Sequence, residues 1–242
     1  MMRRLEGWKV GLWLGIGVFL SNIPTVRLSA QVGHDPASSP YRDVRLRAGP
    51  SFLVGEFNGS RGAADAAFSN ARTASVRYEI PTGKKLLLQF NGAYLEGDRF
   101  ILDPRADSTS PNRKTGPSPA AVVLTDLVLH LRLTGPKSWR GFAPYAGAGV
   151  GFAFESETPP DTTRSGYQFG TKFTVTVASG MRWHLFRHLW LNGDARFVFW
   201  KESYPTSFQS AAPDGSRVLS VLHDRTEWII HPWFSVGAGW SF

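Results

Sequence analysis

The sequence predicts an all-β fold, an eight-stranded antiparallel transmembrane β-barrel of outer-membrane type. Three observations predict it. The terminal stretch Ile229 to Phe242 alternates strictly, with Ile230, Pro232, Phe234, Val236, Ala238, Trp240 and Phe242 on one face. The other face carries His231, Ser235, Gly237, Gly239 and Ser241, and period-2 alternation marks a strand with two different environments. At the opposite end a secretory leader precedes the chain, while no later stretch approaches the roughly 18 unbroken apolar residues of a transmembrane helix. A chain that crosses a membrane without such a helix must do so as a closed barrel, because only helices and closed barrels satisfy every backbone group in lipid.

The leader is residues 1–30. Arg3, Arg4 and Lys9 form its basic part, Val10 to Leu20 its apolar run, and Leu28-Ser29-Ala30 its cleavage site. Residues 31–40 are Pro/Ser-rich and aperiodic, a periplasmic lead-in, and residues 41–242 form the barrel. The net charge is +8, of which the leader holds three, leaving +5 on the mature chain. Export excludes nucleic acid as the partner of that charge, and lipopolysaccharide phosphates are the expected anions. The absence of cysteine excludes disulfides, thiolate metal sites and cysteine nucleophiles.

Eight alternating segments follow in order. The first sets Val44, Leu46, Ala48, Phe52 and Val54 against Arg45, Arg47 and Ser51; the second sets Ala74, Val76, Tyr78 and Ile80 against Ser75, Arg77 and Glu79. In the third, Leu86, Leu88, Phe90 and Tyr94 oppose Gln89 and Asn91, and in the fourth, Ala121, Val123, Leu127, Leu129, Leu131 and Leu133 oppose Asp126, His130 and Arg132. The fifth presents Phe142, Pro144, Ala146, Ala148, Val150, Phe152 and Phe154, with Ala143, Gly147, Gly149 and Gly151 behind them. The sixth has Phe169, Phe173, Val175, Val177, Met181 and Trp183 against Lys172, Thr174, Thr176 and Arg182. The seventh has Leu189, Leu191, Phe197 and Phe199 against Asn192, Asp194 and Arg196, and the eighth is the terminal stretch. A soluble barrel of the lipocalin sort shares this periodicity with the faces exchanged. The aromatic terminal strand and the glycines and close-set charges of the polar face favour lipid outside and a crowded lumen within.

Connections alternate in length. Pro81 to Lys84, Thr134 to Gly141 and Phe186 to His188 are short; Gly55–Thr73, Glu96–Pro119, Glu155–Gly166 and Lys201–Glu227 are long and polar. Short turns at the periplasmic rim and long loops outside are the barrel pattern. Trp183, Trp190, Trp228 and Trp240, with Tyr78 and Tyr94, are expected in the aromatic girdles. Phe234, Val236, Ala238, Trp240 and Phe242 read as the signature met by the barrel-insertion machinery.

Strand direction sorts the inward residues by height. The periplasmic half and its neighbourhood hold a charge network of Arg45, Arg47, Arg77, Glu79, Asp126, His130, Arg132, Arg182, Asp194 and Arg196. Its cations outnumber Glu79, Asp126 and Asp194, so the surplus must meet water, loop carboxylates or a bound anion. The outer half holds Leu53, Leu95, Val122, Leu124, Val198, Trp200, Ile229 and Trp233, an apolar mouth that either takes small hydrophobic molecules or is filled by loop side chains. A barrel of this size has room for its own side chains or one small ligand, not for a wide pore. The expected function is a narrow channel for small hydrophobic molecules; the alternatives are a structural or adhesive barrel working through its loops and, behind that, a lipid A-modifying enzyme.

Arg47-Ala48-Gly49, Pro144 to Gly149, Leu189 to Arg196, His231-Pro232-Trp233-Phe234 and Gly237 to Phe242 together resemble the OmpW family of small outer-membrane barrels. The Pro-Tyr-x-Gly-x-Gly stretch is similar more broadly to OmpA-like barrels. The resemblance implies an eight-stranded barrel concerned with passage of small hydrophobic molecules. Phe68-Ser69-Asn70-Ala71 resembles part of the His-x-Ser motif of lipid A deacylases but has no histidine before it, and His130, Ser179 and Asp194 are too scattered to nominate a triad. No enzyme, cofactor or metal site is expected, since the six histidines show no paired ligand spacing.

Overall fold

A computed structural model describes residues 39–160, 163 and 165–242. The expected signal peptide and most of the lead-in lie outside the described residues. The segment from Pro40 to Phe242 forms one compact unit. Its strands are β1 (Tyr41–Asp43), β2 (Gly49–Phe57), β3 (Ala71–Pro81), β4 (Leu86–Leu102), β5 (Lys114–Arg132), β6 (Lys137–Trp139), β7 (Phe142–Glu157), β8 (Thr171–His184), β9 (Leu189–Ser203) and β10 (Thr226–Trp240).

Eight of them close a ring in the order β2-β3-β4-β5-β7-β8-β9-β10, and β10 returns to β2. All pairings are antiparallel, and the seam between β10 and β2 is in continuous register from Trp233 opposite Phe57 to Gly239 opposite Ser51. The remaining two strands, β1 and β6, are three residues each and pair beside the β5–β7 turn. The ring confirms the eight-stranded antiparallel barrel.

The alternation fixes which face meets what. Phe52, Val76, Phe90, Leu129, Val150, Phe173, Phe197, Phe234 and Val236 all point outward and are exposed. A continuous apolar wall of this kind far exceeds the few hundred Å² that a soluble monomer shows, and at about 25 cal/mol per Å² water would not leave it bare. Lipid wets this wall, so the protein is a transmembrane barrel of the outer membrane. Two close approaches depend on the small inner face of β7. A side chain at Gly149 or Gly151 would collide with the backbone carbonyls of Leu127 or Thr125 on β5.

Three expectations need correction. Val44 to Ala48 are not strand, because β10 stops at Trp240 and β3 turns at Pro81, leaving no ladder opposite them. Arg45 is therefore exposed, and Arg47 reaches the Phe242 carbonyl rather than the lumen. Glu96–Pro119 is mostly not loop, since β4 and β5 pair on as far as Leu102 and Lys114. At 17 and 19 residues these strands outrun the 9–11 needed to cross a bilayer, so their outer ends stand in water, where Glu96 faces outward without cost. Trp190 is not in the girdle: it shares parity with Asn192 and Asp194 and is buried in the lumen.

Candidate functional site

The lumen is built in two layers joined by one tryptophan. In the lower layer β9 supplies Asp194 and Arg196, two residues apart and so on one face. Arg196 Nε donates to Asp194 Oδ1 at 2.7 Å and Arg196 Nη1 to Asp126 Oδ2 at 3.1 Å, while Arg77 Nη2 from β3 reaches Asp194 Oδ1 at 3.0 Å. Tyr145 on β7 donates its hydroxyl to Asp194 Oδ2 at 2.8 Å, and Arg196 Nη2 also reaches Gln89. Nearer the periplasm Arg182 grips Glu79 at 2.5 Å, and Gln89 Nε2 donates to the same carboxylate at 2.9 Å. His130 lies against Tyr145, ring centroids 4.6 Å apart.

This geometry answers the cost of burying charge. Two arginines and two aspartates interlock as one neutral cluster, and charge-assisted hydrogen bonds occupy most of their polar atoms. Arg77, Glu79, Asp126, His130, Arg132, Arg182, Asp194 and Arg196 are all buried, while Arg45 and Arg47 stand outside the lumen. Arg132 alone among these cations has no acidic partner among the described residues; its Nη2 leans on the Lys137 carbonyl at 3.4 Å.

All eight residues of the expected mouth are buried, and Leu53 and Ile229 lie at its edge. Leu95, Val122, Leu124, Val198, Trp200 and Trp233 form one contiguous cluster with Phe57, Phe68 and Phe169. Trp200 and Trp233 have 0 % exposure. Trp200 stacks on His231 with centroids 3.8 Å apart and on Phe57 at 5.5 Å, and Phe169 closes on it edge-on at 5.7 Å. The Ser60 amide donates to His231 Nδ1 at 3.2 Å, which ties the first loop to the barrel. Trp233 joins the layers: its Nε1 donates to Thr73 Oγ1 at 3.0 Å, while the Arg77 and Arg196 guanidinium carbons lie 5.5 and 5.3 Å from its ring centre. The mouth as found is a packed core, not an open vestibule.

Above it the loops form a second core of Ala64, Ala66, Leu102, Tyr167, Tyr204, Phe208 and Leu219. Buried Glu202 binds this cap to the barrel, accepting from Lys172 Nζ at 2.9 Å, Trp200 Nε1 at 2.9 Å and Tyr167 Oη at 3.2 Å. Arg99 pairs with Glu155 at 3.1 Å and lies over the Tyr167 ring. Burial first, then the neighbouring Glu202 carboxylate, pushes the Tyr167 phenol well above its ordinary pKa. Arg61 on the first loop meets Asp98 on the outer part of β4 at 3.2 Å, and between loops Ser108 Oγ donates to Asp214 at 2.8 Å.

Sequence reasoning missed Tyr145, Tyr167 and Glu202, and it set Phe169 on the lipid-facing side of the sixth segment, whereas the structure buries it in the lumen. Parity with Ala143 and Gly147 points Tyr145 inward, and parity with Trp200 does the same for Glu202, so both were legible. Phe169 belongs to the loop before β8, where period-2 reasoning has no purchase, and the strand begins only at Thr171. Ser179 faces outward and is exposed whereas His130 and Asp194 point inward, so these three form no catalytic constellation. No group of His, Asp and Glu among the described residues is arranged to hold a metal ion.

No protein-family model matches the chain, and no curated protein does. Among solved structures it is similar to the N-terminal β-barrel domain of Pseudomonas aeruginosa OprF, at 12% identity over 81% of this chain and 98% of that one, with a TM-score of 0.43. Neisserial surface protein A aligns at 12% identity over 84% and 98%, with a TM-score of 0.45. A major outer membrane protein from Thermus thermophilus aligns at 14% identity over 80% and 99%, with a TM-score of 0.39.

Proposed function

We propose that this protein is a sealed outer-membrane barrel that works through its extracellular cap rather than through its lumen. The observation that carries the reading is the double filling of the lumen. Trp200 and Trp233 pack across the mouth, and the Arg77–Asp194–Arg196–Asp126 cluster crosses the barrel beneath them. A narrow channel for small hydrophobic molecules, even one that released them sideways above a charged floor, would need open space in the apolar mouth, and packed aromatics occupy it. The cap, by contrast, is a fixed surface: four connections locked to one another by Arg61–Asp98, Ser108–Asp214, Tyr167–Glu202 and a shared apolar core. Val221 and Leu222 stand exposed side by side on the last of them.

The channel reading keeps one favourable observation, the gathering of its apolar mouth residues into a single cluster that resembles the expected ligand path. Permeation of a radiolabelled alkane into proteoliposomes separates the two. The sealed reading expects wild-type protein to match protein-free vesicles. Saturable uptake that falls in Trp233→Arg would establish the channel and remove the sealed barrel.

A further inference from the structure

The periplasmic end of the lumen carries an unexplained surplus of donors. Arg132 Nη1, Arg182 Nε, Trp190 Nε1 and Asn192 Nδ2 are buried nitrogens with no hydrogen-bond partner among the described residues, and so is His184 Nε2. Arg132, Arg182, Trp190 and Asn192 are each no more than 6 % exposed. Buried donors are almost always paired, so several converging on one place point to something that accepts from all of them.

Register brings them together. Arg182 lies opposite Asn192 and His184 opposite Trp190 across the β8–β9 ladder. Arg132 stands two strands away on β5, about 10 Å by the usual strand spacing, a gap that two arginine side chains can close from both sides. Between them β7 points inward the small Ala143, opposite Arg182, and Tyr145, opposite Arg132, whose hydroxyl is turned away to Asp194. The Arg182 guanidinium carbon lies 4.8 Å from the Trp190 ring centre, so indole and cation border the same space. The acid at this end, Glu79, is held by Arg182 Nη2 and Gln89 and leaves Arg182 Nε and Arg132 Nη1 uncommitted.

The surrounding rim adds a field of the same sign. Arg42, Lys84, Lys85, Lys137, Arg140 and Arg187 are exposed on its turns, and none is ion-paired among the described residues. A low-dielectric cleft ringed by one sign of charge concentrates counter-ions.

From this convergence we infer a binding site for a phosphoryl oxyanion at the periplasmic mouth of the lumen, held by Arg132 and Arg182 with Trp190 and Asn192 as neutral donors. Guanidinium groups match the oxygen geometry of such an anion, and neutral N–H groups complete its shell. The ligand is either free phosphate or the headgroup of an inner-leaflet phospholipid, which present the same chemistry. The site lies on the opposite side of the charged layer from the loop cap and stands or falls independently of the cap's role.

The test is a titration of the full mature protein in a maltoside detergent, which itself carries no phosphoryl group. The probe is the Trp190 indole N–H resonance, assigned by its loss in Trp190→Phe. Inorganic phosphate at constant ionic strength is expected to shift this resonance saturably, with chloride giving no shift and the other indoles unmoved. Arg132→Gln should weaken the response at least tenfold. Ala143→Leu, which fills the pocket without removing charge, should abolish it even if Arg132→Gln does not fold. Dihexanoylphosphatidylglycerol in a second arm identifies the source: saturation at lower concentration than phosphate assigns the headgroup, the reverse order the free ion. A wild-type resonance that phosphate leaves in place, or a shift that persists in Ala143→Leu, would overturn the site.

Discussion

Asp194 is the residue on which the lower layer turns. It accepts from Arg77, Arg196 and Tyr145, so it bridges two buried guanidinium groups, and Asp126 on Arg196 supplies the second negative charge. Removing one partner of a buried pair costs roughly 3–5 kcal/mol, because the charge left behind stays buried. Tyr145 donates only one hydrogen bond to the same carboxylate, and its loss as Phe should cost about 1–2 kcal/mol. Asp194→Asn is therefore expected to be the more destabilising substitution by a clear margin in urea unfolding from lipid vesicles. Equal effects would mean that the arginines find other acceptors and that the layer is not an interlocked cluster. The contrast also explains why the floor was partly legible from sequence. Charge on the inward parity announced Arg77, Asp126, Asp194 and Arg196, but their pairing required the register, since Arg77 and Asp194 are 117 residues apart.

At the scale of the strand, β10 shows how far alternation carries an argument. Its outward residues Ile230, Phe234, Val236 and Trp240 are exposed to lipid, while His231, Trp233 and Ser235 are buried, as period 2 requires. An arginine at Val236 would sit in hydrocarbon, and the expected cost is about 2–4 kcal/mol near the midplane against about 0–1 near an interface. Val236→Arg should thus lower unfolding stability well below Thr226→Arg, which lies at the outer end of the same strand. Matching values would mean that the apolar face is not in the bilayer. The same rule failed where the environment changed but the geometry did not. Glu96 on β4 opened a stretch that read as loop because it is long and polar, whereas the strand simply continues into water. Val44 to Ala48 failed conversely: the alternation is present, but a strand also needs a continuous ladder, and only isolated backbone bonds meet this stretch, from Val44 N–H to Pro136 and from Phe242 N–H to Ala48.

For the whole molecule, the sealed lumen follows from the size of the ring and from what fills it. Eight strands leave space for side chains or one small ligand, and here that space is occupied twice in series, by aromatics above and ion pairs below. The two fillings were both present in the sequence as a graded lumen. What alternation did not reveal was whether the aromatic half was lined or filled, because the groups that close it, Phe57, Phe68 and Phe169, come from strand ends and loops. Series packing makes a specific demand on conductance. Trp200→Ala with Trp233→Ala empties the upper layer, yet the guanidinium–carboxylate cluster still spans the barrel, so planar-bilayer current is expected to stay at the lipid background. Asp194→Ser with Arg196→Ser thins the lower layer as a neutral pair, but the aromatics remain, and background current is again expected. Only the fourfold variant leaves a continuous water path, and only it should show discrete single-channel steps. Steps from either double variant would show that one layer alone holds the seal.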